Sequence, residues 1–173
     1  IAEAPGAVIR FTATATPARA TKLLYVSGGG QFDSTLAVLP AVYTVRVTDS
    51  YDNPVGGVAV DWSLAEGAGL VSQTSSTTAS QTGLASTRHT LGPADGEHVV
   101  TATASAIASA ASVIFTSRAY RMGSLDVTVA TTGADLDPTG YELTIEGPGI
   151  DSIVQVDANE AVSFRLRPND YVV

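Results

Sequence analysis

Apolar and polar residues alternate with a period of two along much of the chain, and no long stretch repeats with the period of a helix. Val42-Tyr-Thr-Val-Arg-Val-Thr48 reads as a strand. So does Val58-Ala-Val-Asp-Trp-Ser-Leu64, in which Val58, Val60, Trp62 and Leu64 share one face. The same pattern predicts strands at Val8–Ala15, Lys22–Val26, Leu84–Leu91, His98–Ala104 and Ser112–Ser117. Gly28-Gly-Gly30, Gly67-Ala-Gly69 and Gly92-Pro-Ala-Asp-Gly96 punctuate them. Ala102–Ala111 has the composition of a short helix, but β-branched residues flank it, so strand, turn, strand is preferred. Short strands with a turn every ten or so residues predict a β-sandwich.

The texture changes after Met122. Gly123–Gly147 reads as strand, loop, strand. Ala161–Leu166 alternates again, Pro168-Asn-Asp170 turns, and Tyr171-Val-Val173 opens a further strand. The expected organisation is therefore all-β in three parts. Residues 1–20 are a linker or the terminal strand of a preceding module. Residues 21–119 form a β-sandwich, and residues 123–173 a second, smaller and incomplete β-sandwich module. Ala7–Leu23 and Ser112–Leu125 each carry a Phe-Thr pair at a strand end followed by a link, a pattern expected of tandem modules. The sequence opens on Ile1 without a leader pattern, the expectation for a processed chain or a piece of a longer one.

Composition narrows the function. With 45% hydrophobic and 15% charged residues, the chain can bury a core. A net charge of -8 disfavours nucleic acid and anionic membrane surfaces, which need a basic footprint. No apolar run is long enough for a transmembrane helix, so no direct membrane insertion is expected. Cysteine is absent, which removes disulfides, thiolate metal sites and cysteine nucleophiles.

Candidate chemistry is sparse. Asp49, Asp52 and Asn53 offer three side chains where calcium wants six or more oxygens. With Pro54 and Gly56-Gly57 behind them, they read better as a hairpin turn. Asp135, Asp137, Asp151 and Asp157 read as polar loop positions. His89 reads as a half-buried core histidine and His98 as a solvated one. Neither belongs to a zinc-binding pattern. Trp62 sits on the apolar face of a strand and reads as core rather than as a sugar platform. No nucleophile elbow or phosphate loop occurs. The expectation is no enzyme, no cofactor and no metal. The residues assigned to partner contact are Tyr51, Asp52 and Asn53, at the tip of the turn.

"VRVTDSYDNPVGGVAVDWSLAEGAG", "TTASQTGLASTRHTLGPADGEHVVTATA" and "SVIFT", with "KLLYVSGGGQ" before them, resemble the group 1 bacterial immunoglobulin-like domain of intimin and invasin adhesins. Asp52 stands where that family usually has Gly, and His89 where it often has a large apolar residue. "GADLDPTGYELTI" and "FRLRPNDYVV" resemble a prealbumin-like or carboxypeptidase-regulatory-like β module. These resemblances imply an extracytoplasmic bacterial protein, periplasmic or at the cell surface: a spacer, adhesin stalk or docking subunit. The implied partner is a protein of the envelope or of a membrane complex. A peripheral subunit on the periplasmic face of a respiratory or photosynthetic complex, and an accessory domain of a secreted hydrolase, are the alternatives.

Overall fold

A computed structural model describes residues 16–107, 111–133 and 139–173. Its strands are β1 (Lys22–Ser27), β2 (Gln31–Ser34), β3 (Tyr43–Thr48), β4 (Ala59–Glu66), β5 (Gly69–Val71), β6 (Ser75–Thr77), β7 (Leu84–Thr87), β8 (His89–Leu91), β9 (Gly96–Thr103), β10 (Ser112–Tyr120), β11 (Gly123–Thr128), β12 (Tyr141–Gly147), β13 (Ile150–Val156) and β14 (Ala161–Leu166). The molecule is all-β. The predicted strand Val8–Ala15 lies outside the described residues.

Two sheets face each other. One has the order β1-β3-β7 and the other β2-β10-β9-β4-β6. Alternation builds the space between them. Tyr43, Val45 and Val47 point inward from β3, Val60 and Trp62 from β4, Val100 and Ala102 from β9, and Phe115 and Ala119 from β10. Phe115 lies at the centre of the aromatic packing, stacked on Tyr43 at 4.7 Å between ring centroids and tilted against Tyr25 and Trp62. Trp62 is core, as its position predicts, and its Nε1 donates to Ser76 Oγ at 2.9 Å.

The chain from Lys22 to Ser34 serves both sheets. β1 runs antiparallel to β3, and β2 then runs parallel to β10 in the opposite sheet. Gly28 makes this change possible: its φ is 104°, and a side chain there would strike the Val42 carbonyl. A first strand that splits between the two layers, with its second part parallel to the last strand, makes this an immunoglobulin-like sandwich.

The single strand predicted at Leu84–Leu91 is two. Ala85, Thr87, His89 and Leu91 keep one inward face throughout, so the alternation reads as unbroken. What changes at Arg88 is the partner strand: β7 pairs with β3, and β8 with β5. Arg88 fixes the corner by donating to the carbonyls of Leu39 and Pro40 at 2.9 and 3.0 Å.

Beyond Tyr120, β11 pairs with β14 and β12 with β13. Their buried apolar side chains are Ile145, Val156 and Leu166. Tyr171–Val173 makes an isolated bridge between Val172 and Glu146 where a strand was expected. Arg167 spans the junction with the first sandwich. Its Cζ lies 5.8 Å from the Phe32 ring centroid and 5.3 Å from that of Tyr120.

Candidate partner-contact site

The segment Asp49–Gly57 is a turn, but not a hairpin. β3 and β4 belong to opposite sheets, so the chain crosses between layers here. The crossing is organised by one buried carboxylate. Asp49 Oδ1 accepts from the backbone N–H groups of Tyr51 and Asn53, each at 2.9 Å. Asp49 Oδ2 accepts from Ala18 N at 2.9 Å and Asn53 Nδ2 at 3.1 Å. An ionised carboxylate is an acceptor-only group, and this one meets four donors. Burial pushes its carboxyl up, but the bonds from Asn53, Ala18 and Tyr51 outweigh that and lower it to about 2.

Asp52 has φ of 66°, the left-handed region that Asp tolerates better than most residues. Its carboxylate pairs with Lys22 Nζ at 2.7 Å, an exposed contact of little energetic weight. Behind the tip, Val55 N donates to Val47 O, and Thr78 Oγ1 accepts from Val58 N while donating to Val55 O. The backbone of the turn is thus held at both ends. Tyr51 projects from it with 79% of its surface exposed. The structure therefore brings Tyr51, Asp52 and Asn53 together on one tip. Asn53 serves the Asp49 cage, Asp52 meets Lys22, and Tyr51 presents a free aromatic face.

The other acidic cluster does not assemble within the described residues. Asp135 and Asp137 lie outside them, and Asp151 is exposed on β13. Among the described residues no group of three or more His, Asp or Glu side chains could hold a metal ion.

The two histidines differ from their reading in sequence. His98, expected in solvent, is 1% exposed, and His89 is completely buried rather than half-buried. Their rings lie 5.8 Å apart. His98 places Nδ1 3.1 Å from Ala68 O and Nε2 3.2 Å from Ala94 O. A protonated imidazole donates to both carbonyls, a neutral one to a single carbonyl. His89 Nδ1 lies 3.1 Å from the Tyr43 hydroxyl, which donates to Ser117 Oγ at 2.9 Å. Burial, then electrostatic repulsion from the neighbouring His98, hold His89 below the ordinary histidine value, against a smaller raising by the Ala68 backbone. Burial likewise pushes the Tyr43 hydroxyl up, against a smaller lowering by the Ser117 bond. The Gly67-Ala-Gly69 turn packs on both rings. A side chain at Gly67 would come within 2.5 Å of His98 Cγ, and one at Gly69 within 3.1 Å of His89 Nε2. The turn glycines were legible as punctuation. Their partner, the imidazole pair, was not, because Glu97 and the strand start made His98 look peripheral.

No protein-family model matches the chain, and no curated protein matches it in sequence. Among solved structures it is similar to the D00-D0 domain of intimin, with 19% identity over 60% of this chain and a TM-score of 0.42. The chain spans about half (49%) of that structure's length. It is also similar to the D0-D1 domain of intimin, with 13% identity over 84% of this chain and 83% of that one, and a TM-score of 0.44.

Proposed function

We propose that this chain is a non-catalytic structural and protein-binding part of a bacterial envelope protein, placed outside the cytoplasm as a spacer, adhesin stalk or docking subunit. The observation that carries the reading is the Asp49 cage: a buried carboxylate spends all its acceptor capacity on holding a turn whose tip displays Tyr51. A rigid scaffold with a presented aromatic is suited to contact, because little order is lost on binding. The resemblance of the sequence to group 1 immunoglobulin-like domains supports the envelope setting. On this reading residues 21–119 and 123–173 are successive modules of a longer protein.

A docking subunit on the periplasmic face of a respiratory or photosynthetic complex is the nearest variant, and an accessory domain of a secreted hydrolase the next. Gentle affinity purification of the full-length protein from its own membranes, with cross-linking mass spectrometry, tests them. Stoichiometric recovery of an envelope or membrane-complex protein cross-linked near Tyr51 supports the proposal. Recovery in the cytoplasmic fraction, or turnover of a substrate by the purified chain, sinks it.

A further inference from the structure

The junction between β10 and the end of β14 forms an open cleft of about 570 Å³. That is the size of a small-molecule site, and such sites favour the seams between packed units. Arg118, Arg121 and Arg167 line it together with Phe32 and Tyr120, and Asp95 is its acidic side chain. An adjoining hollow, which shares Tyr120 and Arg167 with it, adds Arg165. Four of the nine cationic side chains of a chain with net charge -8 therefore gather at one seam.

The register explains the gathering. Arg118 and Phe32 are direct neighbours across the parallel pair of β10 and β2, so they share the outer face of the sheet. Tyr120 follows Arg118 by two residues on that face. Arg167, just past β14, reaches over both rings. Among the described residues no carboxylate pairs with Arg118, Arg165 or Arg167, although Glu97 is the neighbour of Arg118 across β9. Arg121 has a loose exposed contact with Asp95 at 3.7 Å. A guanidinium above an aromatic ring engages it through its charge and its face, while its N–H donors lie in its own plane. Such a group is ready to take a planar anion at its edge. Phe32, 63% exposed, offers an apolar wall beside it.

We propose that this cleft binds a small organic anion: a carboxylate carried on a ring-sized body, held by Arg118, Arg121 and Arg167 and flanked by Phe32. The carboxylate has two possible sources, a free acid or the acidic end of a glycan. The site is separate from the Tyr51 tip, and its success or failure leaves that reading untouched.

The test is amide chemical-shift titration of the full chain with glucuronate, benzoate, a glucuronate-terminated oligosaccharide, glucose, inorganic phosphate and tri-aspartate. Saturable shifts at 118–121, 167 and 169 with the acids in the millimolar range or tighter, and none with glucose, are expected. Arg118 and Arg121 are exposed, so the R118Q/R121Q double variant should keep its melting temperature while binding at least about tenfold more weakly. Phe32→Ala should weaken benzoate more than it weakens phosphate. Tighter binding of the oligosaccharide supports the site with a glycan as source, and tighter binding of the monomers supports it with a free acid. Phosphate matching the ring acids, tri-aspartate alone binding, no saturable shift, or full binding by R118Q/R121Q would each overturn the proposal.

Discussion

Among the described residues, seventeen apolar side chains, Phe115 included, form one buried cluster drawn from both sheets and the segments that connect them. Beyond Gly123, among the described residues, Ile145, Val156 and Leu166 are the buried apolar ones. The sandwich has a continuous core of the kind that sustains cooperative folding. The second region has two two-stranded ladders, and such ladders are marginal alone in water. Its Arg167 also rests on Phe32 and Tyr120 of the sandwich. One part of the chain is therefore held by its own interior, the other in part by what it leans on. Local opening free energies should differ accordingly.

The most severe way to break this difference is Phe115→Ala. Phe115 is 1% exposed and touches three other aromatic rings, so the substitution should destabilise the sandwich by about 3–5 kcal/mol. Chemical denaturation followed by Trp62 fluorescence reads this directly. Ile145→Ala should cost about 2–5 kcal/mol, but confined to residues 123–173. Hydrogen exchange should then speed in β12 and β13 while β3 and β9 stay protected; equal loss in both regions would mean that they unfold as one.

Acid sharpens the comparison, because the shifted groups lie in the sandwich. His89 is held below its unfolded value of 6.5, so the unfolded chain binds the extra proton. Stability is full above pH 6.5 and falls as pH drops below it, by at most about 1.4 kcal/mol per pH unit. His89→Gln should flatten that limb in pH-dependent denaturation. Asp49 gives a second, lower step. Its carboxyl falls from 3.8 to about 2, so its contribution is present above pH 3.8 and lost as pH falls towards 2. Asp49→Asn should remove this step and speed exchange at the amides of Tyr51 and Asn53, whose acceptor is weakened. The smallest effect on stability belongs to Tyr51→Ala, within about 0.5 kcal/mol, since the side chain is exposed.

The sandwich was legible because its strands alternate against a polar outer face. Val42–Thr48, Val58–Leu64 and His98–Ala104 each fall within a residue or two of β3, β4 and β9. Gln31–Ser34, Gly69–Val71 and Ser75–Thr77 went unread because three or four residues with at most two apolar members, and none in the last, show no period. Ile150–Val156 was hidden differently. Ile153 and Val154 are adjacent, and Ile153 points outward at 62% exposure, so the alternation blurs. The Pro148-Gly149 pair between β12 and β13 was the available signal. At the site, the Asp–Asn turn and its exposed tyrosine could be read from turn chemistry. The role of Asp49 as an acceptor for Ala18 could not, since that bond joins residues 31 positions apart. The junction arginines were equally hidden: only the parallel pairing of β2 with β10 sets Phe32 beside Arg118.

On the function proposed above, the Asp49-held tip is where this scaffold meets a protein. The direct measurement replaces Tyr51 with a photoreactive amino acid in the full-length protein, cross-links in the living bacterium, and compares position 51 with Leu70, which is also exposed. A discrete adduct at position 51, absent at 70 and lost with Asp49→Ala, is the predicted result. No adduct at 51, or the same adducts at both positions, would contradict it.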